Sequence, residues 1–510
     1  MGVFQNNLMG AAAAAASGGG GTTIYDHQIA KSARFQLANS SYMYRTPSSA
    51  GNRRTWTYST WVKRTKYNIN TSFFGATRSG YENVFRFEDT SGADRINLFG
   101  FTGAGLDFNV KTTASYRDSS AWYHIVIAMD TTQGTSSNRL KLYVNGEQQT
   151  DLSSSSYPSQ NYDTNVNDTS TQTQVGYGSY GGQYFNGYIA ESVLIDGTQY
   201  AASDFGETVN GVWVPKDPSG LTFGTNGFYL NYASSGDLGN DVSGNNNDLT
   251  VSGVAAHDSM LDSPTFNSSS NGGNFATYNP LTAGSYISLS EGNLQTIGTT
   301  VGDEGSVLGT MGVTSGKWYW EVRMINMRYS TPAPGISAGS ASATQATTTG
   351  GPRNLLYYAG NVSNFLRDYN STIWGNVTEV ETGLATFSAG DKMMICLDVD
   401  NKKAWFGKNG SWFNSGNPAT GANPQFAWTG TGFSINPSIQ EYDSSSSSSS
   451  CANFGQDGTF AGTETAQGNS DDTGYGNFYY DPPTGFLAMC SGNLPIADAI
   501  DPAQTDDNYP

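Results

Sequence analysis

Apolar and polar positions alternate through GDKMMICLDVDNKKAWFGKNGSWF, residues 390–413. Met393, Ile395, Leu397 and Val399 fall at every second position, so in an extended chain they share one face. Met394 and Cys396 on the other face are also apolar, which predicts a strand buried on both sides. Asp400-Asn401-Lys402 makes a polar turn, and Ala404-Trp405-Phe406 opens a return strand. Asn409-Gly410 supplies the positive-φ pair of a tight hairpin turn, after which Trp412 and Phe413 run back. Residues 120–147, SAWYHIVIAMDTTQGTSSNRLKLYVNGE, follow the same grammar. A strand runs from Trp122-Tyr123 to Met129, and Asp130 opens a polar loop. Leu140, Leu142 and Val144 return, and Asn145-Gly146 turns the chain. The likeness is one of pattern, without a repeat of fixed period.

Further strands are predicted in TWTYSTWVKR (55–64), NVFRFED (83–89), RINLFGF (95–101) and FNGYIAESVLIDGT (185–198). No long window places apolar residues at helical spacing. Short strands separated by Gly, Asn and Ser turns predict an all-β chain. Aromatic residues make up 13% of the sequence, which sets it apart from disordered chains. Its length predicts two or three domains of roughly 100–200 residues each.

Charged residues are also 13%, about half the ~25% of an average domain. The net charge is −18, which argues against nucleic-acid binding because that needs a basic footprint. Residues 441–510 hold no Lys or Arg, and Lys216 is the single basic residue of 142–316. Such a balance serves solubility, repulsion from acidic surfaces, or the use of divalent cations. Three cysteines, Cys396, Cys451 and Cys490, are too few and odd in number for a disulfide framework. Cys396 reads as a core thiol. No apolar run reaches the length of a membrane span.

Five segments follow. Residues 1–22, MGVFQNNLMGAAAAAASGGGG and the next Thr, lack the basic start of a secretory signal. Met1-Gly2 suits myristoylation, but Asn6 stands where Ser or Thr is required. Ala11–Ala16 predicts a short helix and Gly18–Gly21 a flexible joint. The segment reads either as a loose tail or as a docking peptide inserting Phe4, Leu8 and Met9 into another protein. Residues 23–208 read as one β-sandwich and 209–270 as a connector. Within the connector, Asp241, Asn245 and Asp248 place oxygen ligands as hard cations prefer, making calcium the one cofactor suggested. The spacing lacks the terminal Glu of the twelve-residue calcium loop, and the alternative is a hydrogen-bonded turn. Residues 271–456 read as a second sandwich. Residues 457–510 read as an acidic tail packing across a neighbour, or as a loose terminus.

WTYSTWVKR, AWYHIVIAMD, LKLYVNGE and FNGYIAESVLIDG, in that order, resemble the concanavalin A-like jelly roll of the laminin-G type. That family implies two antiparallel sheets face to face, often glycan binding, and sometimes calcium at the sheet rim. SGKWYWEVRM (315–324), the 390–413 hairpin and CANFGQ (451–456) resemble a SPRY domain. This implies a bent β-sandwich that binds partners through its loops and does no chemistry. Seven serines following Asp443 depart from that pattern and predict a mobile insertion before the closing strand. The Phe-Gln-Asn-Asn start, both sandwiches, the Gly-Asn-Asn-Asn-Asp piece and the Gly-Phe-Leu-Ala-Met-Cys ending together resemble structural proteins of tailed bacteriophages. This resemblance implies a tail fibre, spike or head appendage on the virion surface, made in the host cytoplasm without a signal peptide. Its partners would be other virion proteins and a host glycan, and it would be a homo-oligomer, a trimer by analogy.

Enzymatic chemistry finds no support in the motifs. A glycosidase of this fold needs paired carboxylates on one strand face. Glu191 and Asp196 are five apart and point to opposite faces, and Glu321 stands alone. His27, His124 and His257 are scattered, with His124 in a core-type strand. No nucleophile elbow, zinc spacing or phosphate loop occurs. The sequence therefore predicts a binding protein. Two tyrosine-rich loops suit a sugar polymer: GYGSYGGQYF with Tyr177, Tyr180 and Tyr184, and LLYYAGNVSNF with Tyr357 and Tyr358, near Trp374. Tyr offers amphipathic area at low entropy cost. The other reading of these rings is that they cap the sandwich ends or sit between subunits, leaving a passive decoration protein. A polysaccharide-degrading enzyme is the third class.

Overall fold

The computed structural model describes residues 24–90, 92–267, 270–299, 304–328, 331–338, 354–359, 364–368, 381–382, 385–442 and 447–494. Among these the fold is all-β, with helix limited to three-residue 3₁₀ turns. Two sandwiches follow one another along the chain.

In the first sandwich, one eight-stranded sheet centres on Thr55–Arg64, flanked by Trp122–Asp130 and Gly187–Asp196. The facing eight-stranded sheet runs Leu152–Ser156, Gly105–Ser115, Arg95–Thr102, Tyr81–Glu88, Thr71–Arg78, Gln172–Val175, Tyr42–Arg45 and Thr250–Ser252, in spatial order. Alternation does the sorting. Trp56, Tyr58, Phe74, Phe85, Leu98 and Ile127 meet in the shared core, and each large side chain so buried contributes roughly 1.5–3 kcal/mol. The Asn145-Gly146 turn forms with both residues at positive φ, as its sequence predicts.

Residues 209–270 are no bare connector. Phe228–Leu230 pairs with Gly187–Asp196, Thr250–Ser252 extends the second sheet beside Tyr42–Arg45, and Ser259–Met260 pairs with Ser32–Phe35. These strands are two or three residues long, too short to show a period against their turn-rich surroundings.

The second sandwich faces a nine-stranded sheet, built around Lys317–Asn326 and Lys392–Asp398, with a six-stranded sheet containing Ile435–Tyr442. Every residue of Lys392–Asp398 is buried. Met393, Ile395 and Leu397 face the sandwich core. Met394 and Cys396 face outward, where Phe478, Phe486, Ala488 and Cys490 cover them. The segment from 457 to 494 is thus no free tail: it seals the outer face, and Leu487–Ala488 adds a parallel strand to Lys317–Asn326. Residues 495–510 lie outside the described residues, as do Asp443 and the first three serines of the run, 444–446. The last serines are not a mobile loop. Ser449 and Ser450 begin the closing strand, and Ser448 and Ser450 donate to the buried Glu441 carboxylate at 2.5 and 2.8 Å.

Buried polar groups join the two sandwiches. Arg34 is wholly buried among Asp258, Glu291 and Asp457. Lys63, equally buried, donates to Asp262, Asn274 and the Phe275 carbonyl. The Tyr188 hydroxyl donates to the Gly292 carbonyl at 2.8 Å.

Candidate functional site

The site forms on the outer face of the second sheet of the first sandwich. In Tyr42–Arg45 the core takes Met43, so Tyr42 and Tyr44 point outward. Gln174 stands opposite both Tyr44 and Gly75, and Gln172 opposite Thr77, which carries this face across three strands. Thr77 in turn faces Glu82.

The 176–185 loop closes the site by lying flat on that face. Tyr177–Gly178 and Gln183–Tyr184 pair as a small hairpin. Two glycines permit the approach. A Cβ on Gly75 would stand 2.8 Å from the Tyr177 carbonyl oxygen, and one on Gly178 2.5 Å from Ser72 Oγ. Gln183 Oε1 pins the hairpin by accepting from Ser72 Oγ at 3.3 Å and Arg86 Nη1 at 3.2 Å.

The Tyr177 and Tyr184 rings lie 4.4 Å apart, centroid to centroid, and Tyr42 stands 5.1 and 6.0 Å from them. Tyr44 stacks on Tyr42 at 5.3 Å. Tyr42, Tyr177 and Tyr184 border a shallow depression of 390 Å³, whose polar lining includes Gln172, Gln174, Arg78 and Glu82. Glu82 Oε1 accepts from Ser179 Oγ at 2.9 Å, while Oε2 has no hydrogen-bond partner. Burial raises the Glu82 carboxyl above its ordinary range, against the Ser179 bond. The Arg78 guanidinium lies 4.3 Å over the Tyr81 ring and donates through Nη1 to Ser170, leaving Nε without a partner. Burial, then Tyr184 and Tyr42, raise the Tyr177 phenol, so that ring stays neutral.

Ring faces of this kind can cover the C–H surface of a sugar, and carboxamides, a carboxylate and a guanidinium can meet hydroxyls. Among the described residues Glu82 is the one carboxylate lining the depression, whereas glycoside hydrolysis uses a pair.

The structure brings Tyr177 and Tyr184 together and sends Tyr180 elsewhere, onto Phe99 and Phe101. Tyr357 and Tyr358 occupy the strand Asn354–Ala359, paired with Asn364–Asp368. Trp374, Phe4, Leu8 and Met9 lie outside the described residues. Sequence reasoning missed Tyr42, Tyr44, Gln172, Gln174, Arg78 and Glu82. The alternations YMYR and QTQV carried the signal, outward rings and amides beside buried partners.

Asp241 holds a turn together. Its Oδ1 accepts from the backbone N–H of Tyr229 and Ser243, and its Oδ2 from Ser243 Oγ and the Asn247 N–H. Asp248 Oδ1 accepts from the Asp241 N–H, and Asn245 donates to the Gly224 and Gly227 carbonyls. All three calcium candidates thus have hydrogen-bonding work of their own. Among the described residues no three His, Cys, Asp or Glu side chains gather as a metal site. Glu191 binds His27 and Tyr229. Asp196 accepts from the Asn52 and Asn226 N–H groups and from Asn167. His124 lies between Ser59 and Trp213, its pKa pushed down to about 3 by burial.

A larger hollow, of 790 Å³, opens where Tyr116 and Val144 of the first sandwich approach Trp213 and the exposed Leu281. Among the described residues no helix is long and apolar enough to cross a membrane.

Residues 37–199 match the family model described as the concanavalin A-like lectin/glucanases superfamily. No curated protein matches the chain. Solved structures similar to it include the SPRY domain of human HERC1, 20% identical, with 34% of this chain and 96% of that one covered and a TM-score of 0.25. Domain 4 of AbnA, a GH43 extracellular arabinanase from Geobacillus stearothermophilus in complex with arabinotriose, is 18% identical over 36% of this chain and 78% of that one, TM-score 0.27. A heptameric SAP-like pentraxin from Limulus polyphemus is 13% identical over 33% of this chain and 77% of that one, TM-score 0.23. The first sandwich is thus concanavalin A-like by its own family match, within an all-β chain.

Proposed function

We propose that this protein binds glycans without cleaving them, through the depression between Tyr42, Tyr177 and Tyr184. One observation carries the reading: three tyrosine rings converge on one shallow depression that Gln172, Gln174, Arg78 and the half-buried Glu82 also line. The concanavalin A-like family match supports the reading. The resemblance of the whole sequence to tailed-phage proteins extends it: the protein is a homo-oligomeric surface appendage whose weak sugar sites gain from multivalency. Residues 1–22 then attach it to the particle.

Adsorption competition tests this. The full-length protein is added in excess to susceptible cells ahead of the virus. Reduced adsorption by the wild type, and undiminished adsorption with Tyr177→Ala, is the expected result. Equal adsorption with and without the folded, correctly assembled wild type overturns the receptor reading in favour of passive decoration. Release of reducing sugar from cell-surface polysaccharide would overturn the non-enzymatic part.

A further inference from the structure

The aromatic surface continues past the depression. Across the next strand pair, Glu82 faces Phe101 and Val84 faces Phe99. Both phenylalanines therefore share the outer face with Glu82, while Leu98 and Phe108 turn into the core. Tyr180, near the tip of the flat hairpin, sets its ring edge-on to both, 5.2 Å from Phe99 and 5.4 Å from Phe101. Gly181 and Gly182, both at positive φ, turn the hairpin there. Tyr180 remains 41% exposed, a large ring held in place yet facing solvent.

Tyr42 and Tyr180 mark the ends of one line. It crosses Tyr42–Arg45, Gln172–Val175, Thr71–Arg78, Tyr81–Glu88 and Arg95–Thr102, which are neighbours in that order. Four interstrand steps span ~19 Å, longer than one sugar ring. Polar groups fill the interval: Gln174, Glu82 and Ser179. Rings at both ends with hydrogen-bonding groups between them match a chain of sugars rather than a single terminal one.

Resting on the saccharide reading above, we infer that the ligand is an extended oligosaccharide laid across the strands, and that Tyr180 with Phe101 forms a second sugar subsite beyond the Tyr42–Tyr177–Tyr184 depression. Binding energy then accumulates along the line, and chain length is part of recognition.

The test uses the full-length protein and an array of oligosaccharide ladders in the gluco, manno and galacto series, each running from single sugar to hexamer. Affinity of the wild type should climb with length in one series. Tyr180→Ala should weaken the hexamer about tenfold and leave the shortest bound sugar unchanged, showing the depression intact. Tyr180→Phe should retain the climb, because the ring is what the subsite offers. Length-independent binding overturns the second subsite and leaves the first standing. Equal weakening of short and long sugars by Tyr180→Ala also overturns it, since Tyr180 would then act by supporting the hairpin. Failure of the folded wild type to bind any ladder overturns the saccharide reading for these series, and the second subsite with it.

Discussion

Arg34 and Asp457 are separated by 423 positions in sequence and 2.9 Å in space. The contact ties the edge of the first sandwich to the segment that seals the second. Arg34 also meets Asp258 at 2.9 Å and Glu291 at 3.2 Å. Burial opposes its charge, and the three carboxylates more than offset this, so its pKa is raised. One cation thus neutralises part of an acidic cluster that would otherwise repel itself inside the protein.

Arg34→Met should therefore destabilise strongly, by about 3–5 kcal/mol in chemical unfolding of the full chain, because it leaves buried carboxylates uncompensated. Asp457→Asn should cost less, since Arg34 keeps two acidic partners. Equal costs for the two variants would show that Arg34 does not organise the cluster.

The sandwich class and both Asn-Gly hairpins were legible in the sequence because period-two alternation and positive-φ turn pairs are local signals. Strand Lys392–Asp398 was also legible as doubly buried, though what covers its second face was not. Phe478, Phe486 and Cys490 come from a Gly- and Asp-rich segment without a period, and only the fold shows where they go. The site was half legible for the same reason. Tyr177 and Tyr184 stand out in a glycine-rich loop, but their partner Tyr42 is more than a hundred positions away, and its arrival depends on sheet order. Tyr180 looked equivalent to its neighbours until the flat hairpin turned it the other way.

The hairpin's position can be tested without touching any ring. Gly75→Val puts branched carbon where the Tyr177 carbonyl now sits, 2.8 Å from an ideal Cβ. The hairpin must lift, and overpacking of this sort costs about 1–3 kcal/mol. Sugar binding by titration calorimetry should fall at least as far as in Tyr177→Ala, with the circular dichroism of the sandwich preserved. Undiminished binding would mean that the rings do not need the sheet beneath them.

Asp241 offers a different measurement. Its carboxylate accepts from three backbone N–H groups and one hydroxyl. Asp241→Ala should leave several donors unsatisfied, each costing about 1–3 kcal/mol if it stays buried. Chelator should leave the wild-type melting temperature where it is. A fall in melting temperature on chelation, restored by calcium, would return the loop to its reading as a cation site.

Two buried glutamates should respond to pH in ways that their partners set. Glu441 and Glu321 are both pushed up to about 7, burial being the largest cause. A carboxyl whose folded pKa exceeds its ordinary value gives stability that is complete below the ordinary value and is lost as pH rises through the folded one. The window here runs from the ordinary value of 4.5 to about 7. Glu441 is met by the hydroxyls of Thr296, Ser448 and Ser450, which rotate to suit a neutral partner. Glu441→Gln should therefore be tolerated and should gain on the wild type as pH climbs through that window. Comparing the two proteins cancels the opposite slope from His124, which both retain. Glu321 is met by the N–H groups of Tyr479 and Tyr480, which cannot reverse. Glu321→Gln should set an amide donor against one of them and cost about 1–3 kcal/mol at pH 8, with a smaller deficit near pH 5, where the wild-type acid carries the same conflict. Thermal melts of the three proteins across this range decide the matter, and parallel curves for Glu441→Gln and wild type would show that Glu441 does not titrate there.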